Sequence, residues 1–256
     1  MQNFKKYQPL LRELVIKNIK IRYRKSILGV FWTLLNPLLM MIVLSVVFSN
    51  IFKFQIENYP VYILTGQVIF TFFSEATNNA MTSIIANAPL IKKVYIPKYM
   101  FTLSNIISSI INVMASFSAL IIVMVFMRMD LHFTMFLSFI PVLALVIFAT
   151  GIGLILAACV VKFRDLMHFY GVFLTALMYL MPVIYPISIL EGKPIIYEIV
   201  HYNPLTMMLD MFRDFVMNGT VPGVEIFVII FLVSFAILAF GIWVFRKRQD
   251  TFILDI

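Results

Sequence analysis

Glu75 stands alone among the carboxylates of this sequence in lying well inside a long apolar stretch, between Pro60 and Met81. An ionised carboxylate in such surroundings costs several kcal/mol or takes up a proton. Ionisable groups at membrane depth usually face a bundle interior or a polar path. Ser74, Asn78 and Asn79 lie within one helical turn of Glu75, so local hydrogen bonds can satisfy it. Two readings follow. One is a structural network that joins helices; the other is a carboxylate lining a conduit or gate. A second polar set, Asn105, Ser109, Asn112 and Ser116, is spaced by four, three and four, which puts it on one helical face. Small hydroxyl and amide groups favour close helix packing, and a pore-facing role is the alternative.

Other reactive types are scattered. Asp210 and Asp214 are one turn apart with Arg213 beside them, a pattern that suits a local salt bridge and forms the best candidate for a catalytic cluster. His132, His168 and His201 sit near the ends of apolar runs and read as interfacial residues. Cys159 is the single cysteine, so no intrachain disulfide and no cysteine metal site can form. The sequence contains no G-x-x-x-x-G-K-[ST] phosphate loop, no H-E-x-x-H and no G-x-S-x-G, so it lacks a P-loop ATP site of its own. Phe169, Tyr170, Phe173, Tyr179 and Tyr185 cluster in one apolar run. Most suit a membrane-interface belt; a subset, with Phe173 and Tyr179 as candidates, could stack on sugar faces along a path.

The elements that must position these residues follow from composition. Of 256 residues, 62% are hydrophobic and 12% charged, against about 25% charged in soluble domains. The mean hydropathy is +0.99. Charge-poor stretches predict an all-α membrane protein with six spanning helices, over 27–51, 60–81, 100–127, 133–161, 166–185 and 224–245. Residues 186–223 form an external segment whose apolar pieces, Ile195 to Val200 and Leu205 to Val216, are too short to span and read as re-entrant helices. Residues 1–26 form an amphipathic, basic helix at the membrane interface, with Leu10, Leu11, Leu14, Val15, Asn18 and Ile19 in helical register. No cleavable signal peptide is expected there. The net charge of +8 does not indicate nucleic acid, because the basic residues fall in short clusters between apolar runs. On this topology 16 of 20 Lys and Arg lie on the side that holds both termini, which predicts cytoplasmic ends.

The segment Arg22-Tyr23-Arg24-Lys25-Ser26-Ile27-Leu28-Gly29, followed by Trp32 and then Asn36-Pro37, resembles the start of ABC-2 type permeases. It is most similar to the polysaccharide and polyol-phosphate exporters of the O-antigen, capsule and teichoic-acid group. Leu90 to Pro97, Phe163-Arg164-Asp165 and Tyr202-Asn203-Pro204 extend the resemblance over essentially the whole chain. It implies a homodimer with a conduit between two six-helix halves, in the cytoplasmic membrane of a bacterium. Two copies of a separate cytoplasmic ATPase would hold the ATP and Mg, with no cofactor or metal in this chain. The ATPase would meet the N-terminal helix, Tyr7 to Lys25, and the 82–99 coupling loop, with Asn87, Leu90, Lys92, Lys93, Tyr95 and Pro97 as contacts. Pro89 and Pro97 would bracket a short coupling helix. The external helices would cap the outer mouth. The implied substrate is a glycan or polyol-phosphate chain linked through pyrophosphate to a polyprenyl lipid, with Arg22, Arg24 and Lys25 as pyrophosphate candidates. The conduit or gate candidates are Glu75, Asn78, Asn79, Asn105, Asn112, Phe173 and Tyr179. An ABC-2 permease for a drug or simple lipid, or an enzyme acting on polyprenyl lipids, are the alternatives.

Overall fold

A computed structural model describes residues 2–23, 28–48, 56–190 and 192–252. All regular structure among them is helical. The helices are α1 (Gln2–Tyr23), α2 (Trp32–Val47), α3 (Tyr59–Ala86), α4 (Ala88–Ile91), α5 (Tyr99–Phe126), α6 (Phe139–Val160), α7 (Leu166–Leu180), α8 (Pro194–His201), α9 (Pro204–Arg213) and α10 (Val224–Arg248). Short 3-10 turns cover Gly29–Phe31, Phe133–Ser138 and Ile187–Leu190, and a π turn covers Asp214–Asn218.

Proline sets several helix starts. α3, α4, α8 and α9 each carry proline in their first two positions, where its fixed φ suits the helix and its missing N–H is not needed. Tyr202-Asn203-Pro204 is such a start: Asn203 Oδ1 accepts the Leu205 N–H at 3.0 Å, capping α9. At the far end of α10, Arg246, Lys247 and Arg248 occupy the last turn, where cations complement the helix dipole.

α3 is the central helix, packed on α2, α5, α6, α7 and α9. Leu64, Val68 and Phe72 of α3 meet Leu120 and Met124 of α5, Phe148 of α6 and Phe212 of α9 in the main core. A second core at the other end of the bundle joins Leu11 and Leu14 of α1 to Ile91, Phe101, Leu154, Phe245 and Phe252. The apolar stripe of the N-terminal helix therefore docks on α5 rather than lying loose. α6 and α10 touch backbone to backbone. A Cβ on Gly241 would stand 2.4 Å from the Gly151 carbonyl oxygen, the small-residue contact expected between helices in lipid.

Among the described residues three segments, Tyr99–Phe126, Phe133–Val160 and Val224–Arg248, are long and apolar enough to cross a membrane. They coincide with the expected third, fourth and sixth spans, the fourth entering through its 3-10 turn. α3 covers the expected second span but runs on to Ala86, and Gln67, Glu75, Asn78 and Asn79 dilute its apolar character. α7 has 15 residues, or about 22 Å, against a hydrocarbon core of about 30 Å; α2 has 16 described residues, and residues 27 and 49–51 of the expected first span lie outside the described residues. Helix α7 stops before Pro182, with Met181 extended, because proline cannot continue the helix. The 82–99 loop is shorter than expected. Its first residues prolong α3, and the helix between Pro89 and Pro97 is the single turn α4.

Candidate functional site

The two polar stripes meet. Asn112 Nδ2 of α5 donates to both carboxylate oxygens of Glu75 on α3, at 2.8 and 2.9 Å. Both residues are half-buried. Beside them opens a pocket of about 270 Å³, lined by Asn79, Asn105, Ser108 and Asn112, with Asn18 from α1 closing one side. Asn18 Nδ2 lies 3.4 Å from both Ser104 Oγ and Asn105 Oδ1, the long end of hydrogen bonding. Ser104, Ser108, Ser109 and Ser116 of α5 are buried, and Ser118 is exposed. Ser104, Ser108 and Ser109 donate to the carbonyls of Phe101, Ser104 and Asn105 at 2.9, 2.6 and 3.2 Å. Back-bonding of this kind satisfies a hydroxyl without any neighbour helix. The amides and the carboxylate are thus left to work between helices, while Ser109 and Ser116 are buried. The arrangement holds one carboxyl group and several neutral amides. It offers hydrogen bonds to water or hydroxyl groups, and it contains no nucleophile paired with a base.

Not every expected residue joins this pocket. Asn78 is exposed on α3. Phe173 and Tyr179 lie on the outer side of α7, 52% and 66% exposed. Phe173 stacks on Tyr170 at 5.8 Å, and the Tyr170 hydroxyl donates to Thr77 Oγ1 at 2.6 Å, tying α7 to α3. Arg22 ends α1, whereas Arg24 and Lys25 lie outside the described residues.

The coupling-loop candidates divide by burial. Asn87 donates to the Ser83 carbonyl at 2.8 Å and accepts from Lys17 Nζ of α1 at 3.2 Å. Leu90 packs on the second core. Lys92 and Lys93 are exposed and Tyr95 is 94% exposed. Pro97 leads into α5, where Lys98 Nζ donates to the Gln249 carbonyl and lies 5.6 Å from the Phe252 ring. Burial pulls the Lys98 ammonium below its usual range, and the nearby Asp250 opposes that shift.

The sequence reading missed the role of Arg213. Arg213 is buried against the start of α3. It donates to Thr65 Oγ1 (3.3 Å), the Tyr62 hydroxyl (3.0 Å), the Tyr62 carbonyl (3.3 Å) and the Val183 carbonyl (3.3 Å). It also lies 3.6 Å from the Tyr62 ring centroid. Asp210 is 4.0 Å away and partly exposed, and Asp214 Oδ1 accepts from Asn218 instead. Arg213 is therefore the clamp that holds α9 to α3 and to the turn after α7. The clue was periodic: Leu209, Arg213 and Val216 share one helical face, and both apolar members are buried. Among the described residues no group of three or more His, Cys, Asp or Glu could hold a metal ion.

The chain is 30% identical over 245 residues to an O-antigen export system permease protein, RfbA, of Klebsiella pneumoniae, covering 95% of this chain and 93% of that protein. It is 26% identical over 242 residues to the capsule polysaccharide export inner-membrane protein BexB of Haemophilus influenzae, covering 91% and 88%. It is 22% identical over 240 residues to the polysialic acid transport protein KpsM of Escherichia coli, covering 93% and 92%. The profile of the ABC-2 type transporter family matches residues 9–217. With that match running from α1 through the π turn after α9, the chain belongs to the ABC-2 type transporter family.

Proposed function

We propose that this chain is the membrane-spanning permease subunit of an ATP-driven exporter for a lipid-linked polysaccharide or polyol-phosphate polymer. The observation that carries this reading is the match, along 95% of the chain, to an O-antigen export permease. In this reading α2, α3, α5, α6, α7 and α10 are six spans with both termini in the cytoplasm. Helices α8 and α9 form the external cap. The 16-to-4 distribution of Lys and Arg supports that orientation. Two copies of the chain enclose the conduit, and the exposed apolar face of α2, with Leu39, Ile42, Val43 and Val46, needs cover of that kind or lipid.

ATP and Mg belong to two copies of a cytoplasmic ATPase. That partner meets α1 and the projecting Lys92–Lys93–Tyr95 loop, and Lys17–Asn87 links these two surfaces. Arg22, Arg24 and Lys25 meet the substrate pyrophosphate. Glu75, Asn112 and the amides around them supply hydrogen bonds along a polar seam, where hydroxyl-rich cargo or its water could be held. The test is genetic. Deleting the chain in its host should trap lipid-linked polymer on the cytoplasmic side, and restoring it should release the block. Normal surface polymer in the deletion strain would overturn the proposal.

A further inference from the structure

We propose that the cleft between α6 and α10, at the basic end of the bundle, binds an anionic membrane phospholipid. The two helices touch at Gly151 and Gly241. Toward their C-terminal ends a cleft of about 580 Å³ opens between them. Each wall repeats one order. On α6, Ile155 and Cys159 are followed, in the turn just past the helix end, by Lys162; on α10, Phe240 and Trp243 are followed by Lys247 and Arg248. On α10 the spacing of Phe240, Trp243 and Lys247 is i, i+3, i+7, so that set shares a helical face. The cleft is therefore apolar at depth and cationic at its mouth.

Aromatic rings support the cations at the rim. Lys247 Nζ stands 5.2 Å from the Trp243 ring centroid, and Lys162 Nζ stands 5.7 Å from that of Phe163. Phe240 stacks on Trp243 at 5.8 Å, and Arg248 Nη1 reaches Cys159 Sγ at 3.9 Å. Trp243 and Phe240 are more than half exposed, as interfacial aromatics are. No carboxylate lines this cleft among the described residues; Asp165 lines an adjoining one that shares Cys159 and Lys162. A basic mouth over an apolar groove at the membrane surface is the form that recognises phosphate carried on acyl chains. A soluble anion would use only the mouth, and a protein partner would leave the groove beneath unfilled. The inference needs the chain to sit in a bilayer; it does not depend on the exported polymer.

Trp243 provides the probe. The chain has two tryptophans, so Trp32→Phe leaves Trp243 as the sole emitter in the full permease. Purified protein in nanodiscs is titrated with brominated phosphatidylglycerol and, separately, brominated phosphatidylcholine. The anionic lipid should quench Trp243 at lower mole fraction. Lys162→Gln with Lys247→Gln should cut that preference by about 30-fold, from the worth of two cations at a membrane surface. Cys159→Phe fills the groove and should weaken quenching while every cation stays. Thermal melts of these rim and groove variants report whether the fold is intact. Equal quenching by both lipids overturns the proposal, as does a preference that survives the double substitution. Competition by inorganic phosphate that Cys159→Phe leaves unchanged would assign the site to soluble anions and refute the lipid.

Discussion

Replacing Arg213 by methionine should unlock α9 from α3. The side chain is 7% exposed and makes four hydrogen bonds to Tyr62, Thr65 and Val183. Methionine keeps most of the volume and removes every donor. The Val183 carbonyl, in a turn with no helix to serve it, then loses a buried donor. Breaking a buried charged network from one side costs about 3–5 kcal/mol. Arg213→Lys should cost less, about 1–3 kcal/mol, because an ammonium keeps the charge but cannot fork toward both carbonyls. If the loss stays local, opening of α9 from α3 becomes about 100-fold more frequent or more, at 1.4 kcal/mol per factor of ten. Hydrogen exchange by mass spectrometry on permease in detergent reads this directly. Amides of 204–218 should exchange faster by that factor in Arg213→Met and by less in Arg213→Lys, with α6 and α10 slower to change. Wild-type exchange in Arg213→Met would refute the clamp, since among the described residues Arg213 is the side chain of α9 that bonds α3 and the turn after α7.

Three further perturbations address other parts of the structure. Glu75→Gln should change export or coupled ATPase activity while the protein still assembles, and a double-mutant cycle with Asn112→Leu should give a coupling of about 0.6–1.7 kcal/mol in melts; wild-type transport in Glu75→Gln would return the residue to a purely structural role. Gly241→Ala places a Cβ 2.4 Å from the Gly151 oxygen and should cost about 1–3 kcal/mol as α10 is forced off α6, whereas Gly171→Ala, with open space around it, should melt like wild type. Leu14→Asp puts a charge into the second core and should free α1 from α5, measured as faster proteolysis near residue 20 and loss of ATPase co-purification; an unchanged cleavage pattern would mean that α1 docks by other contacts.

Much of the helical layout was legible because apolar runs of membrane length have few other outcomes in lipid. α5, α6 and α10 fall where the hydropathy put them. The ends were less legible where local chemistry overrode composition. Pro182 stops α7 early, and residues 82–86 stay in α3 because nothing there breaks a helix. At the site, spacing by four, three and four put Asn105 and Asn112 on one face. It could not say that Ser109 would bond its own backbone while Asn112 reaches Glu75 and Asn105 lies beside Asn18. Phe173 and Tyr179 were chosen by type alone, and type does not fix which way α7 turns. The ion pair of Arg213 with Asp210 was legible from their spacing and is present at 4.0 Å. The buried clamp was not, because Tyr62 and Thr65 lie more than a hundred residues away on α3 and Val183 lies in the turn after α7, and only the tertiary fold brings them to Arg213.

The account rests on this chain carrying polymer through the bilayer under the power of a separate ATPase. Reconstitution measures that directly: proteoliposomes holding the permease with its ATPase, lipid-linked polysaccharide in the outer leaflet beside the ATPase, and a lumenal enzyme that cleaves only polymer reaching it. Cleavage that needs ATP, the ATPase and an intact Glu75 is the predicted result. Cleavage at the same rate without the ATPase, or none with the complete system, would contradict the central claim.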